Sequence, residues 1–237
     1  MRTCTIEELS HLIDHTNLHA DATTADLTKL CEEARTYGFA MVAINQVQVP
    51  LCARLLAGSG VHVGAAISFP LGQTTVRSKV AETLVAIEDG ANEIDYVVNV
   101  GAVRDGNWDL VHDEMAQIVD ACHAHDVLCK VIFENCYLTD EQKLGLCQVA
   151  SDVRPDFVKT STGFGTGGAT LDDVRLMRAN VPAEVKVKAA GGIRTADDFL
   201  AYVRLGAERI GCSAGIPIIE ELRRRLAETG TQELTLE

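Results

Sequence analysis

The sequence has few basic residues and contains no long apolar run. Among its 237 residues, 21 Lys and Arg stand against 34 Asp and Glu, which gives a formal net charge of −13. Such an acidic balance opposes binding to nucleic acid or to an anionic membrane surface. No stretch approaches the ~18 apolar residues that a membrane span requires, and the N-terminus lacks the apolar centre of a signal peptide. We therefore expect a cytoplasmic protein without nucleic-acid or membrane partners.

The sequence also lacks the compact disulfide framework of small secreted proteins, although it contains eight cysteines. Most of them stand in apolar surroundings typical of helices and strands, which favours reduced thiols in the core. The group Cys122, His123, His125 and Cys129 has some likeness to a metal site. Four-ligand zinc sites usually come as two spaced pairs, and this group falls between a helix and a strand, so we expect no structural metal.

No proline-rich linker, charge block or low-complexity tract divides the chain, and its length suits one barrel domain over residues 1–237. Short apolar runs alternate with helical patterns from end to end, as in a parallel sheet built from βα units. Eight runs are candidate strands, near residues 12–14, 40–45, 61–69, 93–99, 127–134, 157–160, 185–189 and 209–212. Eight parallel strands close a barrel, so the predicted fold is α/β, a single-domain (β/α)8 TIM barrel.

Capping signals mark the starts of several helices. Thr5 and Glu8 form a capping box, which predicts a short N-terminal helix ahead of the barrel. Thr170 and Thr195 each precede two acidic residues, as N-cap threonines of later helices do.

Charged residues within the predicted strands are the main functional signal. Barrel active sites form at the C-terminal ends of the strands, and five charged residues are expected there: Asp14, Asp95, Lys130, Lys159 and Lys188. Buried charges are costly unless they are paired or functional. A salt bridge at the barrel mouth would explain a single lysine, but several such charges on different strands favour a catalytic site.

Two of these lysines, Lys159 and Lys188, lie on strands expected to be adjacent, and a glycine-rich turn follows each. Each ammonium raises the cost of charging the other, so one amine should be partly neutral and able to attack a carbonyl. Lys186 shares a strand face with Lys188 one layer lower, so alternation alone leaves the choice between these two open. The glycine turn favours Lys188, and the pattern indicates Schiff-base chemistry on a phosphorylated aldehyde.

The glycine-rich turns after the last three predicted strands are suited to binding an anion. Backbone N–H groups can approach a phosphate at such turns, and barrels often bind phosphate after their last two strands. The glycines and serine concerned are Gly163, Gly165, Gly167, Gly168, Gly191, Gly192, Gly211 and Ser213.

Two motifs carry a resemblance to a known family, Lys159-Thr160-Ser161-Thr162-Gly163 and Gly191-Gly192-Ile193-Arg194. With residues 13–18, 69–72, 93–95, 130–134 and 211–215, they resemble the deoxyribose-phosphate aldolases over nearly the whole chain. That class I family reversibly cleaves 2-deoxy-D-ribose 5-phosphate to D-glyceraldehyde 3-phosphate and acetaldehyde, in deoxyribose catabolism.

The resemblance implies roles for individual residues. Lys159 would form the Schiff base and Lys188 would lower its pKa, while Asp95, helped by Lys130 and an ordered water, would move protons and Asp14 would orient this relay. The residues implied to bind the substrate phosphate are Gly163, Gly191, Gly192, Gly211 and Ser213. The iminium is the electron sink, so neither a metal nor another cofactor is expected. A homodimer is implied as well, with no pattern that marks its interface.

Two departures from the family pattern carry consequences. Ala43 stands where the family often has a cysteine that reactive aldehydes can trap, which predicts greater aldehyde tolerance. Residues 229–237 contain no tyrosine, whereas some members use a C-terminal tyrosine in proton transfer. That role is either absent here or filled by water.

Two other functions suit a phosphate-binding barrel. A metal-dependent aldolase or a phosphosugar isomerase would need histidines and carboxylates clustered at strand ends, yet the seven histidines fall mostly on helices or loops. A regulatory barrel that only binds a sugar phosphate shares the fold. It predicts loss of the nucleophile, whereas Lys159, Lys188 and Asp95 are all present.

Overall fold

The computed structural model describes residues 2–236. The strands are β1 (Arg2–Thr5), β2 (Ile13–Thr16), β3 (Met41–Asn45), β4 (His62–Ile67), β5 (Glu93–Val97), β6 (Leu128–Ile132), β7 (Phe157–Lys159), β8 (Lys186–Ala190), β9 (Ala207–Cys212) and β10 (Glu233–Leu236). The strands β2 to β9 form a closed parallel barrel in chain order, with β9 paired to β2. The predicted α/β fold class, an eight-stranded barrel with alternating helices, is confirmed.

The helices connect successive strands. They are α1 (Ile6–Ser10), α2 (Thr24–Tyr37), α3 (Val49–Leu56), α4 (Val76–Glu88), α5 (Val100–Arg104), α6 (Trp108–His123), α7 (Asp140–Val153), α8 (Leu171–Asn180), α9 (Ala196–Arg204) and α10 (Gly215–Thr229). Among residues 2–236, no helix combines the length and apolarity needed to cross a membrane.

The capping predictions are confirmed. Thr5 and Glu8 cap α1 reciprocally, with each side chain accepting from the other residue's backbone N–H. The hydroxyl groups of Thr170 and Thr195 likewise accept from the N–H groups of Asp173 and Asp198, at the starts of α8 and α9. Local hydrogen bonds therefore set these helix starts.

Several strands end earlier than the apolar runs predict, and β4 and β6 have a backbone reason for it. The runs near 61–69 and 127–134 continue beyond the ends of β4 and β6. Ser68 with φ of 50° and Glu134 with φ of 57° adopt the left-handed conformation just after these strands. That conformation interrupts the extended backbone, so the regular strands end before these residues.

Alternation along each strand divides the side chains between two environments. In β5, Ile94 and Tyr96 belong to the apolar core that the strands share with the helices. Glu93 and Asp95, on the opposite face, contact lysines inside the barrel. The apolar core thus lies outside the barrel wall, and charged groups occupy much of the interior.

Candidate active site

The register of the barrel brings the predicted charged residues side by side. Asp95 of β5 pairs with Lys130 of β6, and Lys159 of β7 pairs with Lys188 of β8. Paired residues on strands about 4.8 Å apart point to the same face. The four side chains therefore meet within the barrel.

Asp95 is the centre of this group. Its Oδ1 accepts from Lys130 Nζ at 2.8 Å, and its Oδ2 accepts from Lys159 Nζ at 2.8 Å and from Lys188 Nζ at 2.7 Å. Burial would raise the pKa of Asp95, but attraction to the three ammonium groups outweighs burial and holds that pKa well below its usual range. Asp95 is an ionised carboxylate that joins three lysines.

The two adjacent lysines differ in access and in partners. The Lys159 side chain is 5% exposed and lines a cavity at the barrel mouth, whereas Lys188 is fully buried. Lys188 Nζ also forms an ion pair with Asp14 Oδ2 at 2.5 Å. Burial lowers the pKa of Lys159 to about 8, with the attraction of Asp95 opposing this shift and the charge of Lys188 adding to it. Of the two lysines, Lys159 is the one that lines the cavity.

Four of the five charged residues do not lie at strand ends, contrary to expectation. Lys159 is the last residue of β7, but Asp14, Asp95, Lys130 and Lys188 each lie two residues before the end of their strand. That prediction was wrong because the two residues after each of them still pair with neighbouring strands. Of the five, only Lys159 lies at the end of its strand.

The open choice between Lys186 and Lys188 is decided by position. Lys186 begins β8 and is exposed, and its Nζ lies 5.6 Å from the centroid of the Phe157 ring. Two residues later, Lys188 is in contact with Asp14 and Asp95. Lys186 is therefore separate from the charged group around Asp95.

A cavity of about 280 Å³ lies at the barrel mouth beside Lys159. It is lined by all five residues that the resemblance implied for phosphate binding: Gly163, Gly191, Gly192, Gly211 and Ser213. Gly163 and Gly191 both have φ of 88°, a conformation that side chains other than hydrogen disfavour. Helix α10 begins two residues after Ser213, and a helix N-terminus adds partial positive charge.

Sequence reasoning missed several residues of this region. Thr16, Leu18, His19, Thr162, Phe164, Ile193, Arg194 and Cys212 also line the cavity. Glu134 accepts from the Thr162 N–H at 3.1 Å and contacts the Thr162 hydroxyl group, which holds the loop after β7. The left-handed conformation of Glu134 could not be foreseen from the residue type.

Two charged residues beneath the cavity were missed as well. Arg209 contacts Asp14 and donates from Nη2 to Glu93 Oε1 at 2.7 Å, and Glu93 in turn contacts Lys130. A signal for both was present, because each is a charged residue at the start of an apolar run predicted as a strand.

In the part of the chain that the structure describes, no three His, Cys, Asp or Glu side chains are grouped so as to hold a metal ion. His123 Nε2 contacts Asp156 Oδ2 at 3.0 Å, while Cys122 and Cys129 are buried. All eight cysteines are free thiols.

Comparison with known proteins shows that the chain is similar to a family of aldolases over most of its length. A family model described as DeoC/LacD family aldolase matches residues 9–218. The chain is 57% identical over 224 residues to a deoxyribose-phosphate aldolase of Lactobacillus acidophilus, covering 94% of both chains. It is 54% identical to one of Bacteroides thetaiotaomicron, covering 93% of this chain and 94% of that relative. A tetrameric deoxyribose phosphate aldolase from Aeropyrum pernix matches with a TM-score of 0.86 and 31% identity, covering 92% of each chain.

Proposed function

The chain belongs to the DeoC/LacD family of aldolases, and from this membership we propose that it is a deoxyribose-phosphate aldolase. It is a carbon–carbon lyase that reversibly cleaves 2-deoxy-D-ribose 5-phosphate to D-glyceraldehyde 3-phosphate and acetaldehyde. The observation that carries this proposal is the position of Lys159, a buried amine of lowered pKa beside a cavity lined by glycines.

Substrate binding begins with the phosphate in this proposal. Backbone N–H groups near Gly163, Gly191, Gly192, Gly211 and Ser213 bind the phosphate, and the N-terminus of α10 favours its charge. The open-chain aldehyde then reaches Lys159 at the inner wall of the same cavity. Local geometry captures the anion despite the net charge of −13.

Covalent catalysis follows at Lys159. Its neutral amine attacks C1 of the aldehyde, and loss of water leaves an iminium. The products have three and two carbon atoms, so the bond that breaks is C2–C3. Its electrons move into the iminium as the C3 hydroxyl loses its proton, and D-glyceraldehyde 3-phosphate leaves. The remaining enamine takes a proton at C2, and hydrolysis releases acetaldehyde and restores the amine.

The charged residues around Asp95 serve the proton transfers. Asp95 accepts from both Lys159 and Lys188 through one oxygen, so it connects the nucleophile to a second ammonium group. We assign proton transfer to Asp95 with Lys130 and a water molecule, and a lowered Lys159 pKa to Lys188. Asp14 orients Lys188 through their 2.5 Å contact.

Trapping the imine tests the proposal. The protein is incubated with 2-deoxyribose 5-phosphate and EDTA, reduced with borohydride, and mapped by mass spectrometry. We expect a stable adduct on Lys159, its absence in Lys159→Ala, and release of D-glyceraldehyde 3-phosphate before reduction. Lys186→Ala is the matched control, because it removes an exposed lysine outside the site and should keep the adduct.

Two other outcomes would change the proposal. An adduct on Lys188 would keep the reaction but reverse the two lysine roles. Phosphosugar binding with neither adduct nor product would contradict the aldolase assignment and favour a regulatory barrel.

The proposal includes a homodimer, a cytoplasmic location and one domain over residues 1–237. Eight free thiols suit a reducing compartment. Family resemblance supports self-association, and the Aeropyrum pernix relative is tetrameric. Light scattering after size-exclusion chromatography measures the assembly, and a monomer at micromolar concentration would contradict the dimer.

A further inference from the structure

Six charged side chains beneath the substrate cavity form a closed ring in which the sign of the charge alternates. In order around it they are Arg209, Asp14, Lys188, Asp95, Lys130 and Glu93. We call this set the charge ring. Every neighbouring pair is an ion pair, and the last carboxylate, Glu93, accepts from Arg209 Nη2 at 2.7 Å.

The side chains of the charge ring are buried from solvent. Glu93, Lys130 and Lys188 are fully buried, and the Arg209 side chain is 11% exposed. Unpaired charges would be strongly disfavoured here, but three cations face three carboxylates. The charge ring is therefore electrically neutral when all its members are ionised.

Lys159 is attached to the charge ring without belonging to it. Its Nζ donates to Asp95 Oδ2 at 2.8 Å, an oxygen that already accepts from Lys188. Within residues 2–236, no second carboxylate forms an ion pair with Lys159. A protonated Lys159 is thus the excess cation beside a neutral ring.

We propose that Arg209 and Glu93 are positioning residues that close the charge ring, and that its balanced charge leaves Lys159 as the cation able to lose its proton. The inference rests on the proposed function, in which Lys159 is the nucleophile. Neither Arg209 nor Glu93 lines the substrate cavity, so both act through their neighbours.

Other charged and titratable groups near Arg209 could compensate for the loss of its charge. Asp14 and Glu93 bind its guanidinium, whose carbon lies 5.6 Å from the centroid of the Phe157 ring. His62, the first residue of β4, also contacts Glu93, with 2.8 Å between His62 Nδ1 and Glu93 Oε1. The other titratable residues around the cavity below Arg209 are His11, Asp156, Glu184, Lys186 and Glu208.

The sign of each charge change follows from Coulomb attraction. Removing the Arg209 charge leaves the ring with one excess negative charge, which stabilises the ammonium of Lys159 and raises its pKa. Removing the Glu93 charge leaves an excess positive charge, which lowers that pKa. For charges roughly 10 Å apart in a protein interior, each shift should be about one pH unit.

The experiment measures the Lys159 pKa directly. The native protein is labelled with a trace of acetic anhydride across a series of pH values, and acetylation of the Lys159 peptide is quantified by mass spectrometry. Arg209→Met should raise the pKa and Glu93→Gln should lower it. The double variant, which removes one charge of each sign, should return to the wild-type value.

Arg209→Lys keeps the positive charge but replaces the guanidinium group that contacts both Asp14 and Glu93. Because the charge is kept, this variant should have a Lys159 pKa near that of the wild type. If Arg209→Met does not fold, Glu93→Gln and the double variant still test the direction of the Lys159 pKa shift. Equal Lys159 pKa values in all folded variants, or shifts in one direction for both single variants, would overturn the proposal. Labelling needs no turnover, so an inactive wild type would refute the proposed function without deciding this test.

Discussion

Lys159 can form an imine only while its amine is neutral. Its pKa is lowered to about 8 from the ordinary lysine value, chiefly by burial. Adduct formation should therefore rise with pH and level off above pH 8, and two pH units below that midpoint it should be about a hundredfold slower. Borohydride trapping at fixed substrate concentration measures this rate, and a midpoint near the ordinary lysine value would contradict the prediction.

Ala43 predicts tolerance of reactive aldehydes. Its side chain is buried in β3 at the position where the resembling family often has a thiol. Cys212 does line the cavity, but burial raises the pKa of its thiol to about 12, which leaves little reactive thiolate. Concentrated crotonaldehyde should inactivate Ala43→Cys several-fold faster than wild type. Equal rates of activity loss would show that Ala43 has no part in tolerance.

At the scale of elements, the loops after β7 and β8 pack directly on one another. A Cβ atom added at Gly168 would lie 2.2 Å from the Gly191 carbonyl oxygen, so backbone must move. Because Gly191 lines the cavity, Gly168→Ala should raise KM for 2-deoxyribose 5-phosphate about tenfold, equivalent to about 1.4 kcal/mol.

Two comparisons make the Gly168 prediction specific. In Gly168→Ala, KM for unphosphorylated 2-deoxyribose should change less than KM for the phosphorylated substrate, because the substitution disturbs the proposed phosphate-binding loops. Gly167→Ala is the control, because its added Cβ would lie 3.3 Å from the Cys136 Cβ, a much milder contact than the 2.2 Å approach at Gly168. Equal losses on both substrates would argue against a phosphate-binding role for these loops.

A buried ion pair joins α4 to α6. Lys79 Nζ donates to Glu114 Oε2 at 2.7 Å and to the Val97 carbonyl oxygen, while Glu114 accepts from the Asn99 N–H. Lys79→Met would leave a buried carboxylate without its cation, and should lower the free energy of unfolding by about 3–5 kcal/mol in urea titration.

The matched control is Lys29→Met. Lys29 is an exposed lysine, 3.7 Å from Glu33 in an ion pair on α2, and its loss should change stability by less than about 1 kcal/mol. Similar losses in the free energy of unfolding for Lys79→Met and Lys29→Met would show that burial does not determine the cost of losing an ion pair. Replacing Glu114 by leucine in the Lys79→Met background should recover part of the loss.

At the scale of the whole molecule, the chain ends pair as an antiparallel ribbon of β1 and β10. Cys4, which is buried, pairs with Leu234. Deleting residues 233–237 should expose this region and lower stability by about 1 kcal/mol, or about 2–4 °C in Tm for a chain of this size. The ribbon is outside the barrel, so kcat and KM at 25 °C should be unchanged. An unaltered Tm would contradict the prediction.

The sequence by itself determined what depends on local pattern. Periodic apolar runs predicted eight strands, and capping residues predicted helix starts such as those at Thr5, Thr170 and Thr195. The lysine and glycine motifs selected Lys159 and five other residues that line the cavity, because each motif is confined to one strand and its turn. These properties depend on neighbours within a few residues, which a sequence displays directly.

Only the tertiary structure decided how distant residues are paired. The register between β8 and β9 shifts after Val187, so that Arg209 lies opposite Lys188, and β1 pairs with β10 from the other end of the chain. Such pairings depend on which strands meet and on bulges that move one side chain past another. For that reason the charged residues were predicted individually, whereas the ring that joins Arg209 and Glu93 to Asp95 became visible only in the folded barrel.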